Sequence, residues 1–349
     1  MSLIEPIPKP VVSSWTRLEG KVCSRVDSGL INETFLVGER GHREAVLQRL
    51  HPVFDETVNL DIDAVTQWLS HKGLTTPRII PTDDGSLYCL HESHVWRALT
   101  FIDGKSRQTV ENPEVAFEAG ALVGRFHNAL GDFEHDYYFS RGNVHDTARH
   151  LQALQAARDG RRNHPLYDRV APLADRLVRH SDDLHDFSAL PKRHVHGDLK
   201  ISNVLYDESD HAVCLIDLDT VCRMAWPLEL GDALRSWCNP REEDRRPASL
   251  DLELVDAALA GYASQQPDYL GRDEQQALVP GLSQICLELA ARFLTDALEE
   301  SYFAWNPDRY ASRGAHNLAR AQAMLELHED VLKKRHEAEL IVRDRFGAA

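Results

Sequence analysis

Residues 196–203 read His-Gly-Asp-Leu-Lys-Ile-Ser-Asn, and downstream the apolar run Ala212 to Ile216 leads into Asp217-Leu218-Asp219. No other stretch constrains the chain as much. It sets a carboxylate, an ammonium two residues later and a carboxamide five residues later in one loop between apolar segments. Phosphoryl transfer needs such parts: a carboxylate to orient an attacking hydroxyl and take its proton, oxygen ligands for Mg2+, and a cation facing the migrating group. Asp198 suits the first role, Asn203 and Asp217 the second, and Lys200 the third.

Upstream, Gly20–Val37 and His42–Leu50 set β-branched and aromatic residues in partial alternation with polar ones, joined through Gly38-Glu39-Arg40-Gly41. That pattern predicts a hairpin-rich sheet. Val58, Ile62, Val65 and Leu69 then recur at helical spacing before Gly73, and strand character resumes at 78–90 and 94–102. The predicted order is β-β-α-β-β with a break at Asp103-Gly104. From about residue 112 the pattern turns helical: Leu122, Phe126, Ala129 and Leu130 share a face, and Gly120 and Gly124 would let another backbone approach closely. Residues 194–221 interrupt the helices as two short apolar strands around polar loops. Asn317–Phe346 reads as one long amphipathic helix with Leu318, Ala321, Leu325 and Leu332 on one stripe and its charges solvated.

The 349 residues carry 39 Lys+Arg against 55 Asp+Glu, a net charge of −16. This argues against a nucleic-acid partner held by a global positive field. No uninterrupted apolar run approaches the roughly 18 residues of a membrane span, and prolines break the first segment, so the expectation is a cytoplasmic protein with no membrane partner. Six cysteines without a CxxC pair disfavour a disulfide framework or structural zinc and predict buried small hydrophobes.

The His196–Asn203 loop followed by Ile216–Asp219 resembles the catalytic and metal loops of the protein-kinase-like small-molecule kinases, the group of aminoglycoside phosphotransferases and choline kinases. The stretches SGLINETFLV, AVLQRLHPVFDETVNL, IDLDTV, LELGDALR, ARFLTDALEESYF and AHNLARAQ are similar, in the same order, to bacterial N-acetylhexosamine 1-kinases and their relatives. The resemblance implies an α+β, bilobal protein-kinase-like fold. Residues 1–104 would form a small β-rich, nucleotide-binding N-lobe with one helix, and 105–349 a larger, mainly helical C-lobe with the catalytic and metal loops and the acceptor site. It further implies ATP as donor, Mg2+ as cofactor and a small polar hydroxyl-bearing acceptor, first choice the anomeric hydroxyl of a free hexose or N-acetylhexosamine.

Carried over residue by residue, the resemblance makes Asp198 the catalytic base, Lys200 the phosphate-facing cation, and Asn203 and Asp217 the Mg2+ ligands, with Asp219 either a further ligand or a structural group. Asp232 would brace the catalytic loop from beneath. Arg235 would face the cleft or form a surface ion pair, and Arg292 and Tyr302 match acceptor-holding positions, the plainer alternative being packing and surface roles. ATP would lie against Gly29 and Asn32 of a phosphate loop, Gln48, and the backbone of Phe101 and Ile102 at the hinge, with Ile31, Val46 and Ile216 sandwiching the purine.

The pattern departs from protein kinases in three places. Gln48 stands where the third strand usually carries a phosphate-binding lysine, a difference these sugar kinases share. The phosphate loop holds one glycine instead of three. Leu30 stands where the sugar-kinase relatives carry histidine, which bears on acceptor identity because sugars are discriminated by hydrogen bonds to hydroxyls. Two alternatives follow: a kinase for an aminoglycoside, choline or other amino alcohol, whose ammonium would be gripped by several carboxylates, and a nucleotide-binding pseudokinase. A protein kinase is disfavoured by the absence of an APE-like segment or a long activation loop between Asp217 and Asp232.

Overall fold

The computed structural model describes residues 7–26, 31–39, 41–139, 145–181 and 184–347. The chain divides into two compact units. Met1–Asp103 with Asp132–Arg141 form the first, and Gly104–Gly131 with Gly142–Ala349 the second.

In the first unit a short helix α1 (Lys9–Val12) precedes strands β1 (Val22–Val26), β2 (Glu33–Glu39) and β3 (His42–Arg49), helix α2 (Val58–His71), and strands β4 (Ile79–Ile80), β5 (Cys89–His91) and β6 (His94–Thr100). The antiparallel sheet runs β1-β2-β3-β6-β4, with β5 also on β6. Three strands therefore precede the helix where the sequence pattern suggested two, because Gly20–Val37 breaks into β1 and β2. The stretch after α2 yields only short strands, since Thr82–Ser86 closes a tight turn with Gly85 at φ +87°. One face of the sheet is sealed: Phe35, Val37, Ala45, Leu47, Trp96 and Ala98 pack with Val11, Trp15 and Leu18. Trp15 adds a hydrogen bond from Nε1 to the Ile80 carbonyl at 2.8 Å. On α2 the buried carboxylate of Asp61 binds the ring of His135 at 2.7 Å and the backbone N–H groups of Tyr138 and Phe139. This is how a segment distant in sequence joins the first unit.

The second unit holds β7 (Lys105–Ser106), α3 (Pro113–Ala129), α4 (Thr147–Gly160), α5 (Tyr167–His180), β8 (Lys192–Val195), β9 (Val204–Tyr206), β10 (Ala212–Leu215), β11 (Cys222–Ala225), α6 (Trp226–Trp237), α7 (Leu252–Ala263), α8 (Arg272–Gln276), α9 (Leu278–Glu299), α10 (Arg313–Lys333) and α11 (Arg335–Phe346). Helix α3 starts at Asn112, whose side chain caps the Val115 N–H at 2.9 Å, a bond worth about 1 kcal/mol. Gly120 and Gly124 do let another backbone in. A Cβ on Gly120 would land on the carbonyl of Ala258 in α7, and one on Gly124 beside Tyr262 of the same helix.

The long C-terminal helix of the sequence reading is two helices, α10 and α11, parted at Lys334. Its stripe also shifts: Leu318, Ala321, Met324, Leu325 and Val331 are buried, whereas Leu332 is 41% exposed. Helix α9 has the length and apolarity of a membrane span but is mostly buried as a core helix. The cysteines are all free; Cys214, Cys238 and Cys286 are buried as expected, whereas Cys23 is exposed.

Candidate active site

Two small ladders in the second unit create the site. Strand β8 pairs with β11, Val195 opposite Cys222, and β9 pairs with β10, Val204 opposite Leu215. The loop 196–203 and the loop 216–221 each run from one ladder to the other, so pairing alone sets them side by side. Strands β8 and β11 are not announced by the sequence pattern, because Lys192-Arg193-His194-Val195 and Cys222-Arg223-Met224-Ala225 lack a strong apolar alternation.

The catalytic loop is held rigidly from below. Glu229 of α6, fully buried, accepts the backbone N–H of His196 at 2.7 Å and of Gly197 at 2.9 Å. Burial opposes its ionisation, but His127, His196 and these N–H groups hold its pKa below the ordinary value. The brace expected at Asp232 is therefore Glu229, and the one signal for it in the sequence is an acid within an otherwise apolar helix start. Ser236 and Trp237 extend the support, Oγ accepting from the Ile201 N–H at 2.9 Å and Nε1 donating to the Leu199 carbonyl at 2.7 Å. Gly197, at φ +82°, must be glycine: a Cβ would meet the carbonyl of Thr220. His196 donates from Nε2 to the Ile216 carbonyl at 3.0 Å and accepts the Asp198 N–H at Nδ1, which stitches the two loops together in the neutral tautomer.

On this frame Lys200 Nζ lies 2.7 Å from Asp198 Oδ2 and 3.8 Å from Asp217 Oδ2. Asn203 Nδ2 donates to the same Asp198 Oδ2 at 3.1 Å and to the Asp198 carbonyl at 2.8 Å. Asp198 Oδ1 is thereby left for another donor. Burial opposes ionisation of Asp198, yet the ammonium of Lys200 holds its carboxyl well below the usual range, with Arg235 contributing. Asp217, its side chain 38% exposed, moves the opposite way: partial loss of hydration raises its pKa, and the nearby Asp219 and Asp198 outweigh what Lys200 can relieve. Its backbone sits at φ +67°, an uncommon left-handed conformation for a non-glycine residue and one found preferentially at functional sites.

Asp217 and Asn203 present oxygen ligands, the type a hard divalent cation takes. Among the described residues no group of three His, Cys, Asp or Glu side chains could hold a metal on its own. A two-oxygen protein set of this kind suits a Mg2+ ion whose remaining ligands are phosphate oxygens and water.

Arg235 is neither a surface residue nor open to solvent. It is 6% exposed, clamped between Asp232 at 2.9 Å and Glu243 at 2.8 Å. Arg320 approaches the other oxygen of Glu243 at 3.4 Å. Asp219 is buried. Arg292 and Tyr302 flank one ring: the Arg292 guanidinium lies 5.5 Å from the Phe303 centroid, and the Tyr302 ring meets Phe303 edge-on at 4.7 Å. The Tyr302 backbone is fixed by Asp296, which accepts its N–H at 2.8 Å. Near Arg292 on α9, the buried Glu288 accepts from His145 and from Thr147, each at 3.0 Å.

In the first unit, the sheet face opposite the core is half open. Leu36, Val46 and Leu99 form one row across β2, β3 and β6, and Thr34, Gln48 and Arg97 the next. Gln48 Oε1 accepts from Arg97 Nε at 2.9 Å and Nη2 at 2.7 Å, while its Nε2 donates to Thr34 Oγ1 at 3.2 Å. Arg97 is a buried cation that the sequence reading did not single out. Asn32 is buried and accepts the His51 N–H at 2.9 Å. At the hinge positions the Phe101 N–H donates to the Glu44 carbonyl at 3.2 Å. Phe101 and Ile102 are half-buried, as are Ile31, Val46 and Ile216, which the sequence reading took as core. Gly29 and Leu30 lie outside the described residues.

The sequence profile of the phosphotransferase enzyme family matches residues 22–269, and the chain belongs to that family. It is a small-molecule phosphotransferase with the protein-kinase-like fold of that family. Among curated proteins it is similar to a homoserine kinase of Burkholderia ambifaria, 26% identical over 258 residues that cover 69% of this chain and 71% of that protein. Among solved structures it resembles an aminoglycoside phosphotransferase from Alicyclobacillus acidocaldarius, with a TM-score of 0.60, 16% identity, and 97% and 98% of the two chains covered. A microcompartment-associated aminopropanol kinase matches with a TM-score of 0.60, 14% identity, and 93% and 95% covered. An amicoumacin kinase in complex with AMP-PNP, Ca2+ and Ami matches with a TM-score of 0.59, 15% identity, and 87% of each chain covered.

Proposed function

We propose that this phosphotransferase moves the terminal phosphoryl group of ATP, with a divalent cation, to a hydroxyl of a small uncharged, hydroxyl-rich acceptor, a free hexose or N-acetylhexosamine at its anomeric oxygen being the first choice. The observation that carries the transfer chemistry is the Lys200 ammonium standing between Asp198 and Asp217 at 2.7 and 3.8 Å. ATP and a divalent metal are consistent with the AMP-PNP and Ca2+ of the amicoumacin kinase structure.

In this reading Asp198 Oδ1 receives the hydrogen bond of the acceptor hydroxyl, while Lys200 and Asn203 hold Oδ2. A carboxyl held so far below its usual pKa is a weak base. Its main work is then to orient the hydroxyl, and it takes the proton late, as suits a loose transition state. Lys200 shields the carboxylates and faces the migrating group. Asp217 and Asn203 would hold Mg2+, which when bound neutralises phosphate charge. The like charges of Asp219 and Asp198 beside it already make ionised Asp217 costly, and a cation there would relieve that cost.

The acceptor class is argued from charge balance. Outside the Asp198–Asp217–Asp219 group, three nearby carboxylates are matched by the protein's own cations: Asp232 and Glu243 by Arg235 and Arg320, and Glu288 by His145. An ammonium acceptor would compete for them with those cations, whereas a neutral polyol asks only for hydrogen bonds. Arg292 and Tyr302, brought together around Phe303, are the groups proposed to supply them. A second reading, an amine-bearing acceptor such as homoserine or an amino alcohol, is favoured by the names of the relatives.

The test is ATP consumption by the purified protein with Mg2+ against a panel of free sugars, homoserine, amino alcohols and aminoglycosides. Turnover that rises with a sugar alone supports the proposal; turnover that rises only with an amine-bearing acceptor replaces it with the second reading.

A further inference from the structure

Kinases of this general design put a lysine on the third strand and neutralise phosphate with it. Here that position is Gln48, directly opposite Arg97 on β6 and Thr34 on β2. We propose that Arg97 is a positioning residue for the nucleotide: it grips Gln48 Oε1 with two N–H groups, turns the carboxamide so that its NH2 faces the donor's phosphates, and supplies the positive charge behind it.

Three features support this. A carboxamide can present either its oxygen or its nitrogen to a ligand, and an oxygen would repel phosphate. Two guanidinium donors at 2.9 and 2.7 Å settle the choice, since only Oε1 can accept them. A charge-assisted bond to the carbonyl also polarises the amide, so its N–H becomes the stronger donor. Thr34 takes one of the two Nε2 hydrogens at 3.2 Å, leaving the second for a ligand.

Arg97 is 1% exposed, so it acts through Gln48 and not by contact. The buried carboxylate of α2 is not available to Gln48 either: Asp61 binds His135, Tyr138 and Phe139. The usual lysine–glutamate pair is thus replaced by a glutamine–arginine pair, with the cation moved one strand over. The inference rests on ATP being the donor but not on which acceptor is used.

The test is equilibrium binding of ATP with Mg2+ to the full chain without acceptor, with thermal melting of each variant alongside. Wild type that binds no ATP would overturn the nucleotide assignment itself. Given that it binds, R97M should weaken binding ~10-fold, the scale of a charge-assisted hydrogen bond. R97K, which keeps a charged donor, should stay within about 3-fold of wild type. The discriminating variant is Q48K. It restores the lysine usual at this position, yet against Arg97 it should bind ATP more weakly than wild type, and the double variant Q48K/R97M should recover most of the loss. A folded R97M with unchanged affinity, or a Q48K that binds ATP as tightly as wild type or tighter, overturns the proposal. If R97M does not fold, Q48K alone decides.

Discussion

Glu229 receives the backbone N–H of His196 at 2.7 Å from a position 33 residues further along the chain. With the bond to Gly197 it anchors the start of the 196–203 loop. Glu229→Gln keeps the shape but turns one acceptor into a donor facing an N–H. It should cost about 2 kcal/mol of stability, as for the loss of a buried charge-assisted hydrogen bond, read as a lower midpoint in denaturant unfolding. Activity should fall with it, because Asp198 loses its fixed position.

Asp198→Asn removes the charge that Lys200 binds at 2.7 Å while leaving the loop's backbone bonds in place. Turnover should drop by roughly 10²–10⁴-fold, the range for loss of a general base. Thermal melting should stay near wild type. A variant that keeps more than about a tenth of wild-type turnover would remove Asp198 from the mechanism.

Gly197→Ala places a methyl group against the Thr220 carbonyl in a backbone at φ +82°. The two penalties together should cost about 2 kcal/mol or more and displace the metal loop. Ala at Gly85, also at positive φ but with open space around it, is the control and should cost less, measured by the same unfolding titration.

His328 on α10 is buried against α9, donating from Nδ1 to the Ser283 carbonyl at 3.1 Å, with the His180 ring 4.8 Å away and Arg176 and Glu329 nearby. Burial pushes its pKa from 6.5 down to about 4. The unfolded chain therefore binds the proton first, so this contribution to stability is complete above pH 6.5 and is lost as pH falls to about 4. Wild type should lose up to roughly 3 kcal/mol across that window relative to His328→Gln. Unfolding titrations at several pH values measure it, and parallel curves for the two proteins would refute it.

The grouping of Asp198, Lys200, Asn203 and Asp217 was legible in the sequence because these residues are nearly contiguous. Asp198, Lys200 and Asn203 lie within one loop, and Asp217 follows a short apolar strand. The close helix approach was also legible, since Gly120 and Gly124 mark it locally, and it is α7 that fills the space. Other features were hidden because their partners are far apart in sequence. Arg97 lies 49 residues from Gln48, and only the β3–β6 register makes them neighbours. The change of brace from Asp232 to Glu229 turns on which side of α6 meets the loop. Burial of Arg235 turns on Glu243 arriving from beyond the helix end.

The sequence by itself determined which charged and polar groups share the 196–203 and 216–219 loops, because such a cluster is specified by residue type at short spacing. Only the tertiary structure decided which charged and polar groups already have partners: Arg235 with Asp232 and Glu243, Glu288 with His145, and the neutral amide of Gln48 with Arg97. Electrostatic pairing depends on distance and burial, and neither exists until the chain has folded.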